Sequence, residues 1–376
     1  MDKAVRTTSA DLTTRIRHIA AGKPARLLLL VLLGLAWAIA YAIRHRPPTE
    51  RDTHAVAPLI SAMRTHCIGR YLIDLPQGFA PSDFSEAAFY IGLDADHDQL
   101  RLGMIRPGIT KDQFTHWTQS VIKQWDRPYP NAFPTDPPSL LAYQRAYGDD
   151  FLLHTRFDDR LIKAVSLRYF GLRDGVGFEL VHLTDNGPES IALTTSRLLD
   201  MARRASGVRD PEKSPPGACY DDLLIAGRYD EEKIDLDYRH PNHPDLRFEI
   251  YFSGIDRQDD KDVFQRVGWL ARYFGVGVWA APLIHERRYP FHGMEGTEAG
   301  MVTESDLDNG QSVYDFRFET RREHGSLRAP MIRVLMHMGR YDANGKQVGT
   351  AFTQGEAKAI WQAVIQSLRP RPGALQ

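Results

Sequence analysis

Alternation between apolar and polar residues predicts a set of β-strands along this chain. Strict alternation is typical of half-buried strands, and runs rich in β-branched and aromatic residues are typical of buried ones. These patterns predict strands at residues 165–172, 176–184, 246–252, 314–318 and 331–338. Asn344-Gly345, just after the last of these strands, suits a tight hairpin turn.

Apolar residues at helical spacing predict four helices. The first covers residues 111–125, with Thr110 and Gln113 forming a capping box at its start. Further helices are expected at residues 189–205 and 263–274, and a last one begins at Thr353. Ile360, Trp361, Val364, Ile365 and Leu368 would line one face of this last helix, and Pro370 would stop it. Since helices and strands mix without a regular β-α-β rhythm, we expect an α+β fold with mainly antiparallel sheets and packed helices.

An unbroken apolar run at residues 27–43 precedes all of these elements. Its length is at the lower limit for a helix that spans a bilayer. Basic residues predominate before it, which predicts that the first residues stay in the cytoplasm and the rest is exported. Two interpretations stay open: an uncleaved transmembrane anchor, favoured by the length and the arginines that follow, or a cleaved signal peptide. The first predicts a single-pass inner-membrane protein with periplasmic domains, and the second a soluble periplasmic protein.

A segment rich in proline and glycine divides the exported part into two predicted domains. Pro47, Pro48 and Pro58 also suggest a short extended tether after the apolar run. The predicted organisation is a cytoplasmic segment at 1–26, an anchor or signal at 27–43, a tether at 44–58, an N-terminal domain at 59–206, a linker at 207–217 and a C-terminal domain at 218–376.

The overall charge argues against nucleic acid as a partner. Forty-seven lysines and arginines nearly balance 48 acidic residues, for a formal net charge of −1. A nucleic-acid-binding domain would need an excess of basic residues, which is missing here.

The chain has two cysteines, Cys67 and Cys219, and each one opens a predicted domain. In the oxidising periplasm the two would pair if geometry allows, and the alternative is two buried thiols that pack as small apolar side chains. Because no C-x-x-C spacing occurs, a metal site is not expected.

A search for catalytic motifs finds none. The chain has no G-x-S-x-G nucleophile elbow, and His285-Glu286 is not followed by a second histidine at zinc-binding spacing. His240 and His243 lie between prolines and predict a surface loop. Asp306 resembles the start of a calcium loop, but the position for the bidentate glutamate holds an arginine. We therefore predict no catalytic residues, metal, cofactor or small-molecule ligand.

Three segments resemble the Tli4-type immunity proteins of the type VI secretion system. Residues 67–76, C-I-G-R-Y-L-I-D-L-P, match the opening motif of that family, with Gly69, Arg70, Asp74, Leu75 and Pro76 as its fixed points. Residues 215–219, P-P-G-A-C, resemble the start of its C-terminal domain, although Ala218 replaces the usual aromatic residue and Asp221-Asp222 the frequent Gly-Gly pair. Residues 356–374, which contain Trp361, resemble its closing helix and terminal R-P-G-A.

The resemblance implies a binding protein and no enzyme. Members of this family neutralise a Tle4-type phospholipase in the periplasm before it attacks the cell's own membranes, and they are thought to obstruct access to its substrate site. The implied partner is a cognate lipase effector. The motif residues set turns and core positions, so they identify the family without marking the toxin interface. The alternative is a periplasmic hydrolase with an unrecognised active site.

Overall fold

The computed structural model describes residues 45–82, 85–90, 99–127, 139–157, 163–227, 231–254, 283–306, 310–321 and 326–374, with scattered positions between 31 and 43. The chain divides into two compact units, Met1–Pro47 and Pro48–Gln376. In the first unit, most described positions between 31 and 43 are helical. Over the described positions, no helix combines the length and the apolar character needed to cross a membrane. The predicted span at 27–43 lies partly outside those positions.

Four α-helices of the second unit are described: α1 (Glu50–Ile60), α2 (Lys111–Trp125), α3 (Pro188–Arg204) and α4 (Gln354–Ile365). Three of them begin with a capping box. The side chains of Thr49, Thr110 and Thr353 each accept a hydrogen bond from the backbone N–H of the residue three positions later. Such caps satisfy backbone N–H groups that the first turn of a helix leaves without partners. A 3₁₀ turn, Pro211–Lys213, precedes the second half of the chain.

The strands of this unit, in chain order, are β1 (Met63–Gly69), β2 (Tyr71–Pro76), β3 (Ala80–Pro81), β4 (Glu86–Tyr90), β5 (Gln99–Arg106), β6 (Leu140–Arg145), β7 (Phe151–Arg156), β8 (Ala164–Arg173), β9 (Val176–Asp185), β10 (Ala205–Gly207), β11 (Gly217–Tyr220), β12 (Leu223–Ala226), β13 (Glu231–His240), β14 (His243–Ser253), β15 (Leu283–Phe291), β16 (Met294–Glu304), β17 (Ser312–Arg321), β18 (Met331–Met338), β19 (Arg340–Tyr341), β20 (Gln347–Val348) and β21 (Arg369–Pro370).

These strands form two large sheets and one short hairpin. The smaller sheet has the order β10-β12-β11-β1-β2-β21. The larger one runs β15-β16-β17-β18-β14-β13-β4-β5-β9-β8-β7-β6, with β3 beside β13, and β19 pairs with β20. Since the described strand pairs are antiparallel, the predicted α+β class with mainly antiparallel sheets is confirmed.

The main core lies on one face of the larger sheet. Alternate residues of β14, β17 and β18 point into it, among them Ile250, Phe316 and Val334, each at most 1% exposed. Helix α4 and the smaller sheet cover this face in the C-terminal part, and α3 covers β8 and β9. Helix α2 packs on β7 and β8 through a separate cluster around Phe114 and Trp117.

The two predicted halves share both sheets. Strands β1, β2, β3, β4 and β10 pair with β11, β21, β13, β13 and β12, so hydrogen bonds cross the predicted boundary at five strand pairs among the described residues. Residues 207–217 therefore connect two parts of one compact unit.

The extended tether predicted at residues 44–58 is wrong in its second half. Helix α1 begins at Glu50, because Thr49 and Asp52 cap it and Val56 packs into the core. Pro58 lies inside this helix.

The other predicted strands and helices are confirmed where the structure describes them, apart from the end of the last helix. The five predicted strands correspond to β8, β9, β14, β17 and β18, and Asn344-Gly345 turns the hairpin between β19 and β20. Helices α2 and α3 match within a residue. The helix predicted at 263–274 lies outside the described residues. Pro370 does not stop the last helix, which ends at Ile365; Arg369–Pro370 instead pair with β2.

Candidate functional site

The three motif segments, far apart in the sequence, meet in the smaller sheet. Strand β1 carries Cys67 and Gly69, β2 carries the Asp74-Leu75-Pro76 end of the opening motif, β11 carries Cys219, and β21 belongs to the closing segment. Antiparallel pairing joins β11 to β1, β1 to β2, and β2 to β21. We call the buried contacts among these strands the motif junction.

A disulfide bond joins Cys67 to Cys219 at the motif junction. Their Cα atoms are 5.5 Å apart, and both side chains are fully buried together with Leu72 and Leu224. The bond closes a loop across 152 residues and links the root of the first half to that of the second.

Arg70 is the charged centre of the motif junction. Its side chain is 2% exposed, and its Nη2 lies 2.5 Å from Oε1 of Glu232, which is fully buried. Nη1 donates to the carbonyl oxygen of Ala374 at 2.9 Å, and Nη2 donates to that of Gly227 at 3.2 Å. A buried guanidinium needs such partners because its desolvation is costly. Arg70 thus fastens the opening motif to both β13 and the C-terminal segment.

A second buried arginine, Arg371, fastens the closing segment to the residues before β11. Its guanidinium donates to the carbonyl oxygens of Ser214, Pro215 and Gly217 at 2.5–2.9 Å. Burial, together with the nearby charge of Arg70, lowers the pKa of Arg371 to about 10. It therefore stays cationic at neutral pH and can hold these carbonyl groups.

The remaining residues of the opening motif also have structural positions. Gly69 has a φ of +58°, the left-handed conformation that the turn from β1 into β2 requires. Asp74 accepts from Arg369 at 3.2 Å. Leu75 and Pro76 are buried at the end of β2.

Trp361 lies in α4, apart from the motif junction. Its ring stacks on Phe316 with centroids 5.5 Å apart, and its Nε1 donates to Oε2 of Glu298 at 2.8 Å. Nε2 of His285 lies 2.9 Å from the same carboxylate oxygen. Although burial disfavours the charged carboxylate, these hydrogen bonds outweigh it and lower the pKa of Glu298.

Sequence reasoning missed Glu232, Glu298 and the role of Arg371. Arg371 lies inside the quoted closing segment, where its neighbouring prolines suggested only a turn. Glu298 occupies an inward position of β16, so a strand assignment would have marked it as a buried carboxylate that needs a partner. Nothing in the sequence around Glu232 distinguishes it from a surface glutamate.

His240 and Asp306, which sequence analysis considered for chemistry, have structural roles. The imidazole of His240 accepts from the backbone N–H of Asn242, in the turn between β13 and β14. Asp306 accepts from the backbone N–H of Gln347 at 2.7 Å and so holds the β19–β20 hairpin. Among the described residues, no group of three or more histidine, cysteine or acidic side chains could hold a metal ion.

A large concave surface lies on the opposite, outer face of the larger sheet. We call it the outer cavity; its volume is about 880 Å³, and strands β13, β14, β16, β17 and β18 form its floor. The β19–β20 hairpin forms part of its rim, with Tyr341 66% exposed. Since the motif junction is buried, an accessible surface such as this one is where a partner could bind.

The family-model comparison agrees with the motif resemblance. Residues 212–373 match the family described as "Tle cognate immunity protein 4 C-terminal domain". This match confirms the predicted resemblance to Tli4-type immunity proteins. Among the curated proteins, none matches this chain.

Solved structures of immunity proteins share the fold over most of the chain. A chain of "The crystal structure of Tle4-Tli4 complex" is 22% identical, with a TM-score of 0.59, and the match covers 84% of this chain and 99% of that one. The apo structure of the immunity protein TplEi from Pseudomonas aeruginosa is 21% identical, with a TM-score of 0.58 and coverage of 83% and 98%. TplEi complexed with an "L" peptide is 20% identical, with a TM-score of 0.55 and coverage of 83% and 99%. The matching family and these structural neighbours are immunity proteins and not enzymes.

Proposed function

We propose that this chain is an immunity protein that binds a cognate lipase effector of the type VI secretion system and obstructs access to its substrate site. The family match at residues 212–373 carries the proposal. The shared fold adds support, since one of the similar structures is a complex of an immunity protein with Tle4. The protein protects the cell's own membranes by binding and performs no chemistry.

We propose that the protein acts in the periplasm. Residues 27–43 anchor the chain in the inner membrane, and Pro48–Gln376 lies in the periplasm, where the effector reaches its substrate. The apolar run with its basic upstream flank supports this arrangement. The disulfide between Cys67 and Cys219 agrees with an oxidising compartment.

The described residues give less support to the alternative function, a hydrolase. His66 pairs with Asp221 at 2.7 Å, but the two side chains are 0% and 6% exposed. The imidazole packs edge-on against Tyr238, which is also buried. A general base must reach a substrate, which this position prevents.

Protection of living cells tests the proposal. A bacterial host would export to its periplasm the lipase encoded beside this gene, with or without the full chain. We expect lysis without the chain and normal growth with it. A chain lacking residues 1–46 should stay in the cytoplasm and fail to protect, which tests the compartment. Equal lysis with and without the full chain, at verified expression, would contradict the immunity function.

A further inference from the structure

We propose that the outer cavity is the surface where the effector docks, and that it receives a protruding acidic segment of that protein. The inference rests on the proposed immunity function and adds to it a binding surface and the chemistry of the bound segment.

The register places charged side chains in rows across the floor of the cavity. Arg239 is opposite Arg247, which is opposite His337 on the next strand, and His337 is opposite Asp315. The adjacent row includes Glu249 and Arg317, on either side of Leu335. These residues point away from the core because they alternate with the buried ones. A sheet face with this many arginines is suited to polar recognition.

The acidic groups of this face are already paired. Asp237 accepts from Arg239 at 2.7 Å and from Arg247 at 2.5 Å, Glu249 pairs with Arg247, and Asp315 bonds to His337 at 2.6 Å. The cavity lining itself contains four arginines (Arg239, Arg247, Arg317 and Arg340) and two carboxylates (Glu249 and Asp315). Asp237 lies beside this lining and pairs with Arg239 and Arg247, and Arg317 lies 3.8 Å from Glu319. The positive charge left for an acidic partner is therefore that of Arg340.

Arg340 and Tyr341 present the contact groups at the rim. Arg340 is exposed and makes no ion pair within the described part of the chain, and Tyr341 next to it is 66% exposed. Tyrosine and arginine are enriched at the energetic centres of protein interfaces. Arginine also binds carboxylates through two parallel hydrogen bonds, which favours an acidic side chain as its partner.

The hairpin that carries these two residues is held in place before any partner arrives. At its tip, the carboxylate of Asp342 accepts from the backbone N–H groups of Asn344 and Lys346. At its base, Gly339 donates to the carbonyl oxygen of Asp245 at 2.7 Å, and Gln347 donates to Asp306. A preordered hairpin loses little conformational entropy on binding, so its side chains contribute more to affinity.

The shape of the cavity favours a protein segment as its occupant. A volume of about 880 Å³ accommodates several side chains and lies near the upper end of the range for ligand sites. The rim residues Pro241, Arg340 and Tyr341 are all exposed, so a large partner can reach them. A loop with one or two carboxylates would fill the cavity and bond to Arg340.

Binding of the full chain to the lipase encoded beside this gene tests the inference with two target variants and two controls. The targets are Arg340→Glu and Tyr341→Ala. Arg321→Glu makes the same charge change at an exposed position at the far end of β17, and Tyr143→Ala removes a tyrosine that is 60% exposed on β6. Thermal melting of each variant would verify folding.

We expect each target variant to weaken binding by about tenfold or more, as for residues that dominate an interface. The controls should stay within about twofold, as is usual outside an interface. Affinity of the wild-type chain should fall with added salt, and that dependence should be smaller for Arg340→Glu.

Three outcomes would overturn the docking surface while leaving the immunity function intact. One is wild-type affinity in both target variants, and another is equal weakening in targets and controls. Loss of self-association of the chain in Tyr341→Ala, with effector binding unchanged, would assign the cavity to a second copy and also overturn the inference. Failure of the wild-type chain to bind the lipase would overturn the proposed function itself.

Discussion

Arg70 and Glu232 form a buried ion pair between residues 162 positions apart in the chain, with side chains 2% and 0% exposed. The pair joins the turn after β1 to the start of β13, and so connects the smaller sheet to the larger one. Because Arg70 also donates to the carbonyl oxygens of Gly227 and Ala374, its guanidinium has partners from three segments. We expect the geometry of the whole motif junction to depend on this one side chain.

Arg70→Met should destabilise the fold strongly. It leaves Glu232 as a buried carboxylate without its cation, and removing one partner of a buried pair costs about 3–5 kcal/mol. Urea titration followed by tryptophan fluorescence would measure the free energy of unfolding. The double variant Arg70→Met/Glu232→Leu should recover part of the loss, since no unpaired charge remains. A cost below about 1 kcal/mol for the single variant would show that the pair contributes little.

The sequence predicted this fold best where local signals decide the structure. Capping boxes at Thr110 and Thr353 started the helices where expected, and strict alternation located β14 and β17. Helix α1 was missed because Pro58, the two prolines before the helix and its polar residues suggested a tether. The helix is stabilised by Val56, which packs against the rest of the core.

Contacts between residues far apart in the chain were harder to predict from the sequence. Pairing of β4 with β13 connects residues about 150 positions apart, and no local pattern encodes such a contact. The motif residues were expected to be structural, but the charged network around Arg70 needs Glu232, which no motif contains. The outer cavity depends on the register of five strands, so its residues cannot be grouped from their spacing alone.

Reduction of the disulfide should destabilise the protein. The bond between Cys67 and Cys219 spans 152 residues, and closing a loop of this length restricts the unfolded chain. We expect a loss of about 2–5 kcal/mol in the free energy of unfolding when urea titrations are repeated with a reductant. The control is Cys67→Ala/Cys219→Ala, whose stability should be low with or without the reductant. If the reductant lowers the unfolding free energy of the wild-type chain no more than that of this control, the thiols are not paired.

Acid should weaken the contact between α4 and β16 through Glu298. The folded-state pKa of this carboxyl is lowered: hydrogen bonds from His285 and Trp361 outweigh the opposing effect of burial. Because this pKa is lowered, the charged carboxylate stabilises the folded state at pH values above 4.5, the ordinary pKa of a glutamate. That stabilisation is lost as the pH falls through the folded-state pKa. We therefore expect the free energy of unfolding to decrease below about pH 5, and to decrease less in Glu298→Gln.

The matched control for this acid effect is Glu295→Gln, an exposed position on the same strand. Its unfolding free energy should follow the wild-type pH dependence. Identical pH dependence in the wild type and Glu298→Gln would show that the hydrogen bonds to Trp361 and His285 do not favour the charged carboxylate.

Substitution of Gly69 should separate backbone strain from crowding at the motif junction. A Cβ atom there would lie 3.0 Å from Cδ1 of Phe252, and φ is +58°. Gly108 has a similar φ of +68°, but a Cβ atom would have no neighbour within 4 Å. Gly108→Ala should therefore cost only the backbone strain, about 1–2 kcal/mol. Gly69→Ala should cost about 1–3 kcal/mol more, because Phe252 is buried and has little room to move.

Urea titration of the two alanine variants would measure both costs, and their difference isolates the contact with Phe252. The double variant Gly69→Ala/Phe252→Leu makes room for the new methyl group, so the added penalty for Gly69→Ala should be smaller in that background. Equal costs for Gly69→Ala and Gly108→Ala would mean that β1 can shift away from β14. In that case Gly69 is required only because the turn needs a positive φ, and not because the two sheets pack closely at this position.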